Sequence, residues 1–242
     1  MERMEQYVAT HKLAEIDCDW NGWILPGVLL RLTQQAATEH CMGLGLDQAF
    51  YQANQAVFLM AKMAFVWNQV PRCGQTIHLV TKPEMARRAT YKRITTITDE
   101  QGTVLGLVDS RWVLVDLQSH RILRKAPEAF QSLGFADSVE EQLSMQMQKA
   151  ALLQTAGVAR ASYTYCDING HMNNSRYADI ACDALPQELL RRAPITHMTI
   201  SYHNELKAGM ECAVQLGELE TGDWYVTGTN ENGCCFEVNL GF

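Results

Sequence analysis

A short pattern occurs twice in this chain, 148 residues apart. Asp17-Cys18-Asp19-Trp20-Asn21-Gly22-Trp23-Ile24 precedes one apolar periodic segment, and Asp167-Ile168-Asn169-Gly170-His171-Met172 precedes another. Each Asn-Gly is a turn signal. Two further turn signals recur in the same order. Pro71-Arg72-Cys73-Gly74 resembles Leu206-Lys207-Ala208-Gly209 at a spacing of 135, and Asp99-Glu100-Gln101-Gly102 resembles Asn230-Glu231-Asn232-Gly233 at a spacing of 131. A shared order with shrinking spacing describes one unit duplicated, its second copy having shorter loops. Two copies of one unit leave few architectures open.

Within each copy the pattern reads as extended chain, one helix, then several strands. In the first copy Pro26 opens the helix, where its fixed φ suits a first helical position. Val28, Leu29, Leu32, Ala36 and Ala37 repeat at three and four and give one apolar face, and Gly43-Leu44-Gly45 ends it. The strands follow at 57–67, 76–81, 90–98 and 103–117. In the second copy Asn173 or Asn174 is expected to cap a helix carrying Tyr177, Ile180, Ala181, Ala184 and Leu185, interrupted at Pro186. Strands are expected at 196–206, 211–219, 224–229 and 234–242. Between the copies, a polar stretch rich in Gln and Met and poor in Gly reads as a linker helix. The expected division is 1–135 for the first unit, 136–157 for the linker helix and 158–242 for the second unit.

Most strand connections are too short for crossovers, so the sheets should be antiparallel. The expected fold class is α+β, a tandem double hotdog. Two curved antiparallel sheets each wrap round a central helix and join edge to edge into one continuous sheet, which removes exposed edges.

Charge and composition exclude several functions. The 27 acidic and 20 basic residues give a net charge of −7, with no basic stripe, which speaks against nucleic acid as partner. No apolar run approaches a membrane span. Met1 to His11 carries Glu2, Arg3 and Glu5 with no apolar stretch behind them, so a signal peptide is not expected and a cytoplasmic location is. The eight cysteines form no C-x-x-C and no zinc spacing with histidine; they read as buried free thiols, and no metal or other cofactor is expected.

The segment around Asp167 is the most informative in the chain. Asp167, Asn169 and His171 alternate, so in extended chain they would point the same way. They lead into a helix N-terminus, where free N–H groups favour negative charge. The first copy keeps Asn-Gly but has Trp23 where the second has His171. Chemistry in one copy only would look like this, although Asp and Asn before a helix are also ordinary caps.

The pattern Asp167-x-Asn169-x-His171-x-Asn173-Asn174 followed by Tyr177 resembles the acyl-ACP thioesterase family, the bacterial relatives of the plant fatty-acyl-ACP thioesterases. Gln34-Gln35-Ala36-Ala37-Thr38-Glu39-His40 and Ser110-Arg111-Trp112-Val113-Leu114-Val115-Asp116-Leu117 resemble two further blocks of that family, in order. The resemblance spans nearly the whole chain. It implies hydrolysis of fatty acyl thioesters, with active-site residues at Asp167, Asn169, His171 and Glu205 and substrate contacts at Asn173, Asn174 and Gly170. Plant members commonly have Arg-Arg-Glu-Cys where this chain has His203-Asn204-Glu205-Leu206, so a cysteine nucleophile is excluded and water is the expected attacker.

In the mechanism so implied, Glu205 is the base that orients and deprotonates water. Asn169, His171 and the helix N-terminus polarise the thioester, and Asp167 holds Asn169 or His171 in place. A competing assignment makes His171 the base and Glu205 its orienter. The acyl chain would lie between helix and sheet of the first copy, with Phe58, Met60, Met63, Phe65 and Trp67 bearing on its length. His40 would line the channel or pack in the core. The expected partner is an acyl carrier protein thioester or its coenzyme A counterpart, and the chain itself is expected to be a monomer or homodimer. A basic patch would be needed to dock an acidic carrier; the candidates are Arg87, Arg88, Lys92 and Arg93, or Arg121, Arg124 and Lys125, or Arg191 and Arg192. Rival readings are a hotdog hydratase or dehydratase and a non-catalytic acyl-thioester binding module.

Overall fold

A computed structural model describes residues 5–242; Met1 to Met4 of the charged N-terminal stretch lie outside the described residues. The first half contains β1 (Tyr7–Lys12), α1 (Pro26–Gly43), α2 (Gln48–Ala53), β2 (Ala56–Trp67), β3 (Thr76–Pro83), β4 (Thr90–Thr98) and β5 (Val104–Asp116). The second contains β6 (Gln154–Arg160), α3 (Arg176–Asp183), α4 (Gln187–Arg192), β7 (His197–Tyr202), β8 (Glu211–Glu218), β9 (Trp224–Asn230) and β10 (Gly233–Gly241).

All ten strands form one sheet in the order β1-β3-β4-β5-β2-β7-β10-β9-β8-β6. Every neighbouring pair is antiparallel. Read outward from the centre, 2-5-4-3-1 on one side mirrors 7-10-9-8-6 on the other, as duplication requires. The halves join through β2 and β7, where Phe65 faces Met198 and Met63 faces Ile200. Joining removes the inner edges, and β1 and β6 remain as outer edges. This is the double hotdog expected from the repeat.

The helices cover one face. α1 starts at Pro26 and buries Val28, Leu29, Ala36 and Ala37 of the expected face, together with Leu30, while the expected Leu32 is half-buried. It packs on β1 and β3, while α3 packs on β10 through Tyr177, Ala178 and Ala181. α1 and α3 also touch each other. Arg31 of α1 pairs with Asp179 of α3 at 3.3 Å, and Gly27 leaves the room that the Asp179 carboxylate occupies. A single core runs through both halves, from Leu13 and Leu29 to Phe236 and Leu240.

The first half has a second apolar cluster without a twin. Leu46, Ala56, Tyr91, Leu114, Phe130, Leu133 and Phe135 bring together α2, the outer ends of β2, β4 and β5, and the segment after β5. Neither α2 nor this capping segment was among the elements expected from sequence.

The linker helix does not form. Residues 136–153 contain no helix and run as irregular extended chain into β6, which begins at Gln154. The physical reason is that side chains of the sheet take up the linker's backbone groups. Val139 N–H donates to Glu84 Oε2 at 2.9 Å and Leu143 N–H to Asp109 Oδ2 at 2.9 Å. Lys92 Nζ donates to the carbonyls of Val139 and Glu141, Lys62 Nζ to that of Met145, and Asn239 holds Gln148 through both its amide groups. Tertiary partners override the helical composition. Lys92 follows Tyr91 and precedes Arg93, which face the helices, so the strap crosses the opposite face of the sheet.

Candidate active site

The two copies of the Asp-x-Asn-Gly loop superimpose in their hydrogen bonds, and the comparison separates scaffold from chemistry. In the first copy Asp19 N–H donates to Trp23 O at 2.8 Å, Gly22 N–H to Asp19 O at 3.0 Å, and Asn21 N–H to Asp19 Oδ1 at 2.8 Å. In the second, Asp167 N–H donates to His171 O at 2.9 Å, Gly170 N–H to Asp167 O at 3.0 Å, and Asn169 N–H to Asp167 Oδ1 at 2.9 Å. Gly22 and Gly170 supply the positive φ that closes each turn, +80° and +75°. Residues 167–170 are thus a closed turn. The expectation that Asp167, Asn169 and His171 alternate along extended chain fails, because the turn breaks the two-residue period.

Each loop is then clamped by a distant one. Met172 N–H donates to Leu206 O at 2.8 Å and Ala208 N–H to Gly170 O at 2.9 Å, as Ile24 N–H and Cys73 N–H do with Pro71 O and Gly22 O in the first copy. His171 is bridged to Lys207, as Trp23 is to Arg72. Glu205 therefore sits three residues past the end of β7, in this clamping loop, not within a core strand.

The two residues that differ between the copies meet. His171 Nδ1 lies 3.2 Å from Glu205 Oε2. Their counterparts by the repeat spacing are Trp23 and Val70, and Trp23 lies under the Arg72 guanidinium at 5.2 Å. The Asn169 side chain is exposed and has no hydrogen-bond partner among the described residues. Asp167 is occupied with the turn, the task Asp19 has in the copy without a histidine.

The other expected contact residues have local tasks too. Asn173 Oδ1 accepts from Ser175 N–H at 3.0 Å and Ser175 Oγ at 2.7 Å, forming the turn into α3. Neither asparagine is the N-cap itself, since α3 begins at Arg176 behind Ser175. The Asn174 carbonyl accepts from Tyr202 Oη at 3.2 Å. Gly170 closes the turn.

Two concave surfaces lie against α1. A groove of about 490 Å³ runs between α1 and the segment 164–176, walled by Arg31, Gln34, Thr38, Asp167, Asn173 and Arg176 among others. His171 and Glu205 are not in its walls, but His171 is one backbone hydrogen bond from Asp167. Deeper along α1, a largely apolar cavity of about 200 Å³ lies among Ala37, Leu46, Phe58, Tyr91, Trp112 and Phe135. Gln34 and Thr38 border both, so the groove and cavity adjoin along one helix face. Of the residues expected to bear on chain length only Phe58 reaches the cavity; Met60, Met63, Phe65 and Trp67 belong to the main core. His40 is buried beside it, against the Arg93 guanidinium at 3.1 Å.

Lys92 and Arg93 are buried, so the first proposed basic cluster is not a surface patch; Arg121, Arg124, Lys125, Arg191 and Arg192 are exposed. His197 and His203 turn to separate carboxylates, Asp223 and Glu237. His203, Cys234 and Glu237 bring three donors of metal-ligand type within 4.8 Å. Burial works to raise Glu237, but hydrogen bonds from Tyr225, Lys149 and His203 outweigh it and hold the carboxyl below its usual range. The Lys149 ammonium at 3.0 Å already supplies the counter-charge there. All eight cysteines are free, but Cys73 is exposed, unlike the buried thiols expected.

The acyl-ACP thioesterase N-terminal domain model matches residues 5–133 and the C-terminal domain model residues 156–236. The chain belongs to the acyl-ACP thioesterase family. Curated relatives are distant. The chloroplastic acyl-[acyl-carrier-protein] hydrolase FATB1 of Cuphea viscosissima is 23% identical over 201 residues, covering 77% of this chain and 48% of that protein. FATB3 of the same plant is 22% identical over 210 residues, covering 81% and 51%. The chain thus spans about half the length of the curated relatives it matches. The family fold is reproduced throughout. An acyl-ACP thioesterase of Bacteroides thetaiotaomicron superposes with a TM-score of 0.85 at 20% identity, covering 99% of this chain and 98% of that one. The 12:0-ACP thioesterase of Umbellularia californica gives 0.81 at 13% identity, covering 97% and 96%. The linker strap lies between the two matched segments.

Proposed function

We propose that this chain hydrolyses fatty acyl thioesters, releasing a free fatty acid and the thiol of acyl carrier protein. The observation that carries the reading is the His171–Glu205 contact. It occurs in one copy of a duplicated loop only, beside a groove that adjoins an apolar cavity. The family membership supports the thioester as substrate.

The contact also favours one division of labour. A carboxylate on Nδ1 fixes the imidazole as the Nδ1–H tautomer and leaves Nε2 as the basic nitrogen. His171 is then the base and Glu205 its orienter, the reverse of the assignment preferred from sequence. Water oxygen attacks the thioester carbon while His171 Nε2 takes its proton. The tetrahedral intermediate expels the thiolate, which takes that proton back as it leaves. In this reading the Asn169 amide donates to the oxyanion, and Asp167 and Gly170 hold the turn that carries Asn169 and His171. One such donor is worth roughly 10² to 10³ in rate.

The cavity of about 200 Å³ beyond the groove offers room for the far end of an acyl chain. The exposed arginines at 121 and 124, or at 191 and 192, are the candidates for an acidic carrier.

A thiol-release assay with one acyl group on acyl carrier protein and on coenzyme A tests the reading. Faster turnover on the carrier protein, abolished in His171→Ala, is expected. Consumption of thioester without free acid would replace hydrolysis by hydration or dehydration, and retention without thiol release would replace it by binding alone.

A further inference from the structure

The cavity is not uniformly apolar: its walls hold a buried guanidinium without a counter-charge and a buried hydroxyl without a hydrogen bond. Five charged side chains are buried among the described residues: Glu84, Lys92, Arg93, Asp109 and Glu237. Four are paired: Glu84 with Lys92 and Arg87, Asp109 with Arg111, and Glu237 with Lys149. Arg93 is the exception. No carboxylate of the described residues lies within 4 Å of it. Its guanidinium donates through Nη1 to His40 Nδ1 at 3.1 Å and Thr81 Oγ1 at 3.2 Å, and through Nη2 to Cys41 Sγ at 3.4 Å. These acceptors carry no formal negative charge. A buried cation without an anion is costly, and burial accordingly lowers the affinity of Arg93 for its proton.

A second group points the same way. Tyr91 lies two residues earlier on β4, on the same face, and walls the same cavity. Its hydroxyl is buried with no hydrogen-bond partner. The ring is fixed edge-on to Phe58 at 4.9 Å and Phe135 at 6.5 Å. A chain ending in a methyl group would satisfy neither the hydroxyl nor the guanidinium.

We propose that the cavity receives an acyl chain whose far end carries a carboxylate, held by Arg93 and the Tyr91 hydroxyl. The inference deepens the thioesterase reading and rests on it only for the thioester end of the ligand. Position identifies the end concerned. Cys41, Tyr91 and Arg93 wall the cavity, whereas no residue of the segment 164–176, nor Glu205, does. The carboxylate formed by hydrolysis would lie beside His171, outside the cavity walls, and is not the partner. The substrate class is therefore a half-thioester of a dicarboxylic acid.

The test uses the full chain and pantetheine thioethers, which cannot be cleaved. Three probes of equal chain length end in a carboxylate, a hydroxyl or a methyl group, and calorimetry measures their affinities. The carboxylate probe is expected to bind at least tenfold tighter than the methyl probe, the value of a charge-assisted hydrogen bond. Arg93→Met should abolish that preference, and Tyr91→Phe should reduce it several-fold. Arg93→Lys, which keeps the charge, should retain part of it and serves if the methionine variant does not fold. Equal or tighter binding of the methyl probe overturns the proposal, as does a preference that survives both Arg93→Met and Tyr91→Phe. Hydroxyl binding as tight as carboxylate overturns the anionic assignment. Because the probes are inert, absence of hydrolysis with the matching thioesters would refute the enzymatic reading and leave this one standing.

Discussion

Replacing Glu205 by glutamine leaves a carbonyl oxygen that can still accept the His171 Nδ1–H, but removes the charge that stabilises the ring after it takes a proton. The size of the loss follows from exposure. Glu205 is 41% exposed and His171 22%, so water screens much of their attraction. A buried hydrogen bond to a charged group contributes about 1.5 to 3 kcal/mol, and exposed ion pairs about 0.2 to 1 kcal/mol. An intermediate value of about 1 to 2 kcal/mol corresponds to roughly a 5- to 30-fold loss in kcat. Removing the base itself, in His171→Ala, should cost roughly 10² to 10⁴. The assay is thiol release from acyl-ACP at saturating substrate, repeated from pH 5 to 9. Wild type should show a pH-dependent kcat with one inflection that His171→Ala loses. If Glu205→Gln instead falls by more than 10², and the inflection persists in His171→Ala, the base is Glu205 and the division of labour argued from the 3.2 Å contact is wrong.

Asp19→Ala and Asp167→Ala each remove the acceptor that closes their turn and should each cost about 1 kcal/mol in urea denaturation. Only Asp167→Ala should also lower turnover, so a large kinetic loss in Asp19→Ala would contradict the scaffold role. Gly106→Ala would drive a Cβ into the Trp67 ring and against the Val66 carbonyl 2.7 Å away, costing about 1 to 3 kcal/mol; an unchanged denaturation midpoint would refute that packing. Burial works to raise Glu84, but the Val139 N–H, Lys92 and Arg87 outweigh it and hold its folded pKa low. Its stabilisation is therefore complete above the ordinary carboxylate range and lost as pH falls through the lowered value. Glu84→Gln should be less stable than wild type at pH 7, with the difference shrinking as pH falls; a difference constant with pH would exclude the linkage.

Most strands were legible because they carry their own turn signals and apolar pattern; β4 occupies the expected 90–98, whereas β6 begins inside the expected linker helix and β7 ends at Tyr202, short of the expected 206. What escaped was whatever depends on partners far along the chain. The linker has the composition of a helix, yet Glu84, Lys92, Asp109 and Asn239 decide its path, and nothing within the segment encodes them. The cap that completes the cavity is a few scattered residues, Phe130, Leu133 and Phe135, held by α2 and β4. In the site, residue types before a helix would have suited a plain cap. The family resemblance named His171 and Glu205, and the loop geometry then returned Asp167 and Gly170 to scaffolding. The Arg93–Tyr91 pair carried no motif; only burial without a counter-charge reveals it.

The division between a half with a cavity and a half with a histidine has a traceable origin in the helices. By the 148-residue spacing, Thr38 corresponds to Pro186 and Cys41 to Leu189. Proline lacks the N–H that an inner helical turn needs and disfavours helix before it. α3 accordingly ends at Asp183 after eight residues, and the chain turns before α4, whereas α1 continues for eighteen. The turns that α1 gains carry Thr38 and Cys41, which wall the cavity, so the second copy has no helix face on which to build one. The loop that brings His171 to Glu205 is clamped to the segment after β7 and does not depend on helix length. Restoring helix at Pro186 should therefore leave His171 and Glu205 in contact, and Thr38→Pro should disrupt the cavity without touching the pair.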